Sequence, residues 1–365
     1  MNPLLDRLMR QASRLTRGGH LDEATRAIQR TLADAFAAPA GREAEAPPAA
    51  NDERLVIDVE SRVIREPAPA DAPPDADADA GAEEWIDGLF AHQNRQLAYK
   101  LFVPARGAGT PRPLVLMLHG CTQNPEDFAA GTGMNRLARE HGFLVLYPAQ
   151  AQRAHATRCW NWFKSQHQAR GRGEPALLAA LTGSIVEDRA VDPARVYVAG
   201  LSAGGAMADI LGRAYPDRFA AVGVHSGLPA GAAGDLMAAL GLMKNGPQDF
   251  SPSPSAAPPT IVFHGDADAT VHARNGDAVA QAALAGRDPA RLRTTTESGR
   301  SAAGRGYTRC VHADAAGRPV VEHWCLHGAG HAWSGGSAQG SYTDPAGPDA
   351  SAEMLRFFLA HRTAD

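Results

Sequence analysis

The chain lacks the features that mark nucleic-acid-binding and membrane-spanning proteins. Its 36 lysines and arginines are outnumbered by 40 aspartates and glutamates, and they form no basic stripe, which argues against nucleic-acid binding. No apolar run approaches the roughly 18 residues that span a bilayer. Residues 1–7 lack the hydrophobic core of a signal peptide, so the sequence predicts a cytoplasmic protein.

Cysteine is scarce, with four residues in the 365-residue chain. The spacings of Cys121, Cys159, Cys310 and Cys325 match neither a C-x-x-C motif nor a zinc finger. Cys310 and Cys325 flank a predicted β-hairpin with its turn at 314–317, so they could lie opposite each other. We expect two disulfides, which would favour an oxidising compartment; the alternative is four reduced thiols.

Three regions of different composition predict the domain organisation. Residues 1–37 carry apolar residues at helical spacing, which predicts a helical hairpin. We expect this hairpin to dock on the main domain or to bind a partner, such as a hydrophobic granule surface. Residues 38–82, rich in alanine, proline and acidic residues, predict a disordered linker. Residues 83–365 then form one large folded domain.

This domain alternates predicted strands with predicted helices. The predicted strands are apolar runs at 114–118, 143–147, 196–201, 219–224 and 260–264. The predicted helices cover 128–141, 175–191, 203–215 and 349–361. The alternation predicts an α/β fold with a mostly parallel sheet covered on both faces. Sites in such sheets form at the carboxyl ends of strands, where an insertion at 228–259 could act as a lid.

One of these strand–helix junctions carries the segment Gly-Leu-Ser-Ala-Gly at 200–204, a G-x-S-x-G pattern. A sharp turn from strand to helix needs glycines next to its central residue, because a Cβ there would clash. Such a turn exposes the serine hydroxyl above the sheet, beside the amino end of the helix. Ser202 is therefore the candidate nucleophile.

A serine nucleophile needs a base, and the base needs an orienting carboxylate. Asp268 follows the predicted strand at 260–264 and is the candidate acid; Asp266 is the alternative, and could instead cap the turn. His331 lies among glycines in a late loop and is the candidate base, with His327 as a structural residue. We expect the histidines that end predicted strands near the same edge to be structural: His119, His225 and His264.

The remaining candidates are oxyanion donors and a substrate wall. The backbone N–H groups of Cys121 and Ala203 are the candidate donors. The aromatic segment at 159–163, which contains Trp160 and Trp162, fits either the core or an apolar subsite. Trp333 follows the candidate base and is expected to form a bulky wall.

Five motifs together resemble the poly(3-hydroxybutyrate) depolymerase family of esterases, which is related to feruloyl and acetylxylan esterases. They are His-Gly-Cys-Thr-Gln at 119–123, Cys-Trp-Asn-Trp-Phe at 159–163, Gly-Leu-Ser-Ala-Gly-Gly at 200–205, His-Gly-Asp-Ala-Asp at 264–268 and His-Gly-Ala-Gly-His-Ala-Trp at 327–333. The resemblance covers about residues 95–362. It implies an α/β-hydrolase fold, ester hydrolysis by Ser202, Asp268 and His331, and neither a cofactor nor a metal.

The resemblance also sets expectations for substrate and location. Secreted polymer-degrading members typically carry a signal peptide and a polymer-binding domain, and neither appears in this sequence. We therefore expect short-chain hydroxyalkanoate esters or oligomers rather than crystalline polyester. The alternatives are a feruloyl or acetylxylan esterase, a serine peptidase of the same fold, and a granule-binding protein without catalysis. An extracellular location is the alternative that the family and the paired cysteines favour.

Overall fold

The computed structural model of the protein describes residues 82–105, 110–248, 250–252 and 257–363. The predicted helical hairpin at 1–37 and all but the last residue of the predicted linker at 38–82 lie outside these ranges. The predicted domain boundaries therefore stay predictions. Among the described helices, none combines the length and the apolar character needed to cross a membrane.

Within the described residues, ten strands form the main sheet. In chain order they are β1 (Glu84–His92), β2 (Arg95–Val103), β3 (Arg112–Leu118), β4 (Leu144–Ala149), β5 (Val191–Leu201), β6 (Ala221–His225), β7 (Thr260–Gly265), β8 (Arg293–Arg300), β9 (Gly306–Ala313) and β10 (Pro319–Leu326). Across the sheet the order is β1-β2-β4-β3-β5-β6-β7-β10-β9-β8. The strands from β4 to β10 in this order are parallel, and antiparallel strands flank them on both sides.

The sheet separates two hydrophobic cores. In β3, Leu114, Leu116 and Leu118 belong to one core and Val115 and Met117 to the other, because successive side chains alternate between faces. The helices over these faces are α1 (Pro125–Thr132), α2 (Met134–His141), α3 (Gly173–Asp188), α4 (Ala203–Ala214), α5 (Leu236–Asn245), α6 (Arg274–Leu284) and α7 (Ala350–Leu359). A mostly parallel sheet with helices over both faces confirms the predicted fold class.

One predicted helix is two helices in the structure. The sequence predicts a single helix over 128–141, but α1 ends at Thr132 and α2 begins at Met134. Gly133 between them has a φ of 64°, and its N–H donates to the Ala129 carbonyl, which closes α1. The apolar spacing continues across this break, so the pattern alone does not reveal it.

The hairpin of β9 and β10 corrects the expectation of two disulfides, because Cys310 and Cys325 are free thiols. The hairpin is present, but its register places Cys310 opposite His323 and Cys325 opposite Thr308. The two cysteines are thus diagonal neighbours on one face, where Cα atoms are typically about 7–8 Å apart. A disulfide needs less than about 7 Å.

Candidate active site

Ser202 lies at the sharp turn between β5 and α4. Its backbone φ of 57° and ψ of −120° fall in a region that costs of the order of 1–3 kcal/mol for a residue with a side chain. The adjacent glycines are required by close backbone approach. A Cβ on Gly200 would lie 2.4 Å from the Gly204 carbonyl carbon, and one on Gly204 would lie 2.0 Å from the Leu118 oxygen. This turn holds Ser202 at the carboxyl edge of the sheet.

Asp268 and His331 meet at the same edge. Asp268 follows β7 and His331 follows β10, and these two strands are parallel neighbours. The Nδ1 atom of His331 lies 2.7 Å from Asp268 Oδ2 and donates its proton to it. The other carboxylate oxygen accepts the backbone N–H groups of Thr270 and Val271 at 2.9 and 2.8 Å. The carboxylate is therefore fixed on both sides and orients the imidazole.

His264 is a second imidazole beside this carboxylate. Its Nε2 atom lies 3.5 Å from Asp268 Oδ2 and 2.8 Å from the Val271 carbonyl oxygen. Burial alone would raise the pKa of Asp268, but hydrogen bonds from His264, His331 and the Val271 N–H hold that pKa well below its usual range. Asp268 therefore stays ionised at neutral pH although its side chain is buried.

His225 connects the Ser202 turn to the loop that carries His331. Its carbonyl oxygen accepts the Ser202 N–H at 2.9 Å, and its Nε2 atom accepts the Ser334 N–H at 3.0 Å. The ring stacks on Trp333, with centroids 5.1 Å apart. Burial lowers the pKa of His225 to about 3, so the ring is neutral and its Nε2 atom can accept the hydrogen bond from the Ser334 N–H.

The loop expected to supply one oxyanion donor is fixed next to Cys121. The N–H of Thr122 donates to the Thr157 carbonyl oxygen at 2.7 Å. The other candidate donor, Ala203, is the first residue of α4, where a backbone N–H has no partner within the helix. The assignment of both N–H groups as oxyanion donors stays a prediction.

A disulfide joins Cys121 to Cys159, so one of the two expected disulfides is present. It attaches the loop at 119–123 to the aromatic segment at 159–163. The indole N–H of Trp160 adds a second link, because it donates to the His119 carbonyl oxygen at 3.1 Å. The disulfide and this hydrogen bond together restrain the loop at 119–123.

The indoles expected to contact a substrate are buried. The exposed fraction is 1% for Trp160, 5% for Trp162 and 1% for Trp333. Trp333 packs edge-on against Phe128, and its N–H donates to Ser351 Oγ at 3.0 Å. The burial of Trp160 and Trp162 favours the core alternative for the aromatic segment, and the expected role of Trp333 as a substrate wall stays a prediction.

A cavity of about 860 Å³ lies near the loop at 119–123, although its lining includes no residue of that loop and neither Ser202, Asp268 nor His331. Gln150, which lines it, donates its backbone N–H to His119 Nε2 at 3.2 Å and connects the cavity to that loop. The turn of the β1–β2 hairpin forms another wall. The remaining lining includes polar and charged side chains and one indole, namely Arg153, Trp160, Asn161, Lys164, His167 and Glu174.

Asp266 and His327, the alternatives to the candidate acid and base, form a pair of their own. Asp266 Oδ2 lies 3.1 Å from His327 Nδ1, and Asp266 Oδ1 accepts the Gly328 N–H at 2.6 Å. Asp266 therefore contacts the loop that carries His327, rather than only capping the turn at its own position. This contact joins the same two loops that carry Asp268 and His331.

Comparison with known proteins places the chain in a family. Residues 97–292, more than half of the chain, match the family described as "Esterase PHB depolymerase". The chain belongs to this family. Poly(3-hydroxyalkanoate) depolymerase C of Paucimonas lemoignei is 30% identical over 60% of this chain and 54% of its own length. Acetylxylan esterase A of Talaromyces purpureogenus is 28% identical over 54% of this chain and 55% of its own length.

The chain thus spans about half the length of these curated relatives. Among solved structures, an acetyl xylan esterase from Aspergillus awamori superimposes with a TM-score of 0.60. It shares 19% sequence identity and covers 77% of this chain and all of its own. At this identity the likeness concerns the fold, and it agrees with the α/β-hydrolase architecture of the esterase family.

Proposed function

We propose that this protein is a serine carboxylic-ester hydrolase in which Ser202, Asp268 and His331 form the catalytic triad. The observation that supports this proposal most strongly is the strained turn at Ser202. It lies at the same edge of the sheet where Asp268 Oδ2 is 2.7 Å from His331 Nδ1. Residue order along the chain, serine before aspartate before histidine, is that of α/β-hydrolases. Membership in an esterase family supports an ester over an amide substrate.

The proposed reaction proceeds through an acyl-enzyme. His331 accepts the Ser202 hydroxyl proton as Oγ attacks the ester carbonyl carbon, and the backbone N–H groups of Cys121 and Ala203 stabilise the oxyanion. The tetrahedral species collapses, and His331 gives its proton to the leaving alcohol. Water then attacks the acyl-enzyme with His331 as base, which releases the carboxylic acid and restores the serine. Asp268 remains ionised throughout and stabilises the imidazolium.

We propose short-chain hydroxyalkanoate esters or oligomers as the substrates. Such a chain repeats ester carbonyls, which accept hydrogen bonds, and ends in a hydroxyl, which donates one. The cavity lined by Gln150, which is hydrogen-bonded to His119, also holds donors such as Arg153 and Lys164. The name of the Paucimonas relative supports the same substrate class.

The nucleophile is tested by Ser202→Ala with p-nitrophenyl butyrate as substrate. We expect kcat/KM to fall by about 10⁴-fold or more and labelling by a fluorophosphonate to disappear. Ser226→Ala is the matched control, because Ser226 follows the neighbouring strand β6 but is fully buried. This control should retain fluorophosphonate labelling. Full labelling of Ser202→Ala would contradict the assignment.

The substrate class is tested by comparing kcat/KM on hydroxybutyrate oligomers, acetylated xylo-oligosaccharides, a feruloyl ester and an amide of the same acyl group. We expect the oligomers to be preferred. Acetylxylan esterase is the second candidate, because the Talaromyces relative carries that name. A tenfold or larger preference for the acetylated sugar would select the second candidate, and preference for the amide would support a peptidase.

Cellular location and granule binding stay predictions. The Cys121–Cys159 disulfide supports an oxidising compartment, in line with the extracellular alternative. Binding of a hydrophobic granule by residues 1–37 is tested by co-sedimentation of the full chain and of a chain beginning at residue 83. Equal sedimentation of the two would rule out a contribution from those residues.

A further inference from the structure

A second group of chemistry-bearing side chains lies outside the proposed triad, where β7 and β10 end. Asp266, Cys325 and His327 each offer one ligand atom, an oxygen, a sulfur and a nitrogen, and these atoms all lie within 4.8 Å of one another. Thiolate, imidazole and carboxylate are the three ligand types that zinc uses in proteins. The cluster therefore has the donor chemistry of a transition-metal site.

The parallel pairing of β7 with β10 brings the three donors together. Cys325 is paired with His264 in β7, and Asp266 begins the loop just beyond that strand. The Asp266 N–H donates to the Leu326 carbonyl oxygen at 3.1 Å, which fixes the start of one loop against the end of the other strand. His327 follows at once in the second loop. The spacing of the donors is therefore set by the sheet and not by long flexible loops.

The separation of the nitrogen and oxygen donors is close to that around a tetrahedral ion. Zinc bonds of about 2.0–2.2 Å to nitrogen and oxygen place two tetrahedral ligands roughly 3.3–3.5 Å apart. Asp266 Oδ2 and His327 Nδ1 are 3.1 Å apart. The remaining atoms of both side chains already have partners: Gly328 N–H lies 2.6 Å from Asp266 Oδ1, and Thr308 Oγ1 lies 3.0 Å from His327 Nε2. Such outer contacts are the ones that orient metal ligands.

The surrounding charge favours a cation. Burial raises the pKa of the half-buried Cys325 thiol, and the negative charges of Asp266 and of Asp277 on α6 raise it further. The nearby cation is Arg305, whose guanidinium donates to the His327 and Gly328 carbonyl oxygens. Arg305 is itself paired with Asp344 at 3.1 Å, which offsets its charge. Asp277 lies 3.7 Å from His323 Nδ1, so Asp266 is the carboxylate ligand of the cluster.

We propose that Asp266, Cys325 and His327 bind a zinc ion, with water at the fourth position. The Cys325 thiol proton leaves to solvent, and the ring proton of His327 resides on Nε2, where Thr308 Oγ1 accepts it. The bound ion joins the loop of Asp268 to the loop of His331 without contacting either residue. Oxygen-preferring magnesium and calcium are poor fits to a site with one sulfur and one nitrogen ligand.

The test is binding of Zn²⁺ to the chelator-stripped full-length protein, measured by titration calorimetry without substrate. We expect one ion per chain. Cys325→Ser and His327→Asn should each weaken binding by about 10-fold or more, and Thr308→Val by about 10-fold. Cys310→Ser is the matched control, because Cys310 is the other free thiol and lies on the same face of the hairpin. This control should bind Zn²⁺ as the wild type does.

Co²⁺ supplies an independent readout, since a thiolate ligand gives a charge-transfer absorption band. The band should form in the wild type and in Cys310→Ser and should be absent from Cys325→Ser. Lack of stoichiometric binding, or equal affinities in wild type and Cys325→Ser, would overturn the proposal. Thr308→Val removes no ligand, so it tests the site even if a ligand variant folds poorly. Because no substrate is used, these results are independent of the proposed esterase activity.

Discussion

Two aspartate–histidine pairs join the same two loops, and they differ in their surroundings. The Asp268–His331 pair has side chains that are 0% and 11% exposed, whereas those of Asp266 and His327 are 41% and 46% exposed. The buried carboxylate also accepts two backbone N–H groups and lies beside a second imidazole. The exposed pair has one backbone donor on its carboxylate and a threonine on its imidazole.

The comparison shows that burial, and not residue type, separates the two roles. Charges in a site shielded from water interact more strongly, so a buried carboxylate can orient an imidazole and stabilise its protonated form. An exposed pair is screened and contributes about 0–1 kcal/mol. The buried Asp268–His331 pair, called the inner pair below, is therefore suited to proton transfer. The exposed Asp266–His327 pair, called the outer pair, is suited to holding the loops or a metal ion.

The largest expected difference between the pairs is in the histidines. His331→Ala should lower kcat/KM for p-nitrophenyl butyrate by about 10⁴-fold or more, because the proposed base is lost. His327→Ala should lower it by less than about 10-fold, since it affects only the support of the loop. Steady-state kinetics on both variants measures this, with circular dichroism to confirm folding. Equal losses in the two variants would contradict the assignment of roles.

The two aspartate variants should rank in the same order as the two histidine variants, with a smaller difference between their losses of activity. Asp268→Asn should lower kcat by about 10³–10⁴-fold, because an amide that donates to His331 favours the wrong tautomer. Asp266→Asn keeps an oxygen that can accept from Gly328 and should lower kcat by less than about 5-fold. A loss in Asp266→Asn as large as that in Asp268→Asn would indicate that both pairs take part in catalysis.

Acid unfolding should report the buried carboxylate. The unfolded pKa of aspartate is about 3.9, and the folded pKa of Asp268 is lower, so its stabilisation is complete above about pH 4 and is lost as the pH falls towards the folded value. From pH 4 to pH 2, the free energy of unfolding should fall more steeply for wild type than for Asp268→Asn, by up to about 1.4 kcal/mol per pH unit. Urea unfolding at several pH values measures the slopes, and equal slopes would contradict this expectation.

The smallest expected effect is the coupling within the outer pair. A double-mutant cycle of Asp266→Asn and His327→Asn, in the presence of EDTA, should give a coupling energy of about 0.2–1 kcal/mol. The low value follows from the solvent exposure of both side chains. Urea unfolding of the four proteins provides the measurement. A coupling above about 2 kcal/mol would show that the outer pair is as strong a structural element as the inner one.

Local pattern was enough to predict the parts of the site that depend on chain order. The G-x-S-x-G segment predicts the strained turn at Ser202, because only glycines tolerate its close backbone contacts. Strand order predicts that Asp268 and His331 lie at one edge, since parallel neighbours end together. The α/β class follows from strands that are apolar on both faces.

Features that depend on strand register and on side-chain packing cannot be predicted from the local sequence pattern. The Cys310–Cys325 prediction fails because the turn of the β9–β10 hairpin and a shift near Pro319 set the pairing. The role of Trp333 depends on its contacts with Phe128 and Ser351, which are distant along the chain. In the same way, the second imidazole on Asp268 is visible only once β7 and its following loop are folded.

The polar strand β8 has a consequence for the behaviour of the protein in concentrated solution. It lies at one margin of the ten-stranded sheet, and seven of its eight residues are exposed. Among the described residues no strand pairs with its outer edge, and an edge of this kind is a template for another chain to add a strand. The sequence Arg-Thr-Thr-Thr-Glu-Ser-Gly-Arg offers charges and hydroxyls there instead of apolar side chains. The polar side chains of this edge strand thus disfavour edge-to-edge pairing of the sheets of two molecules.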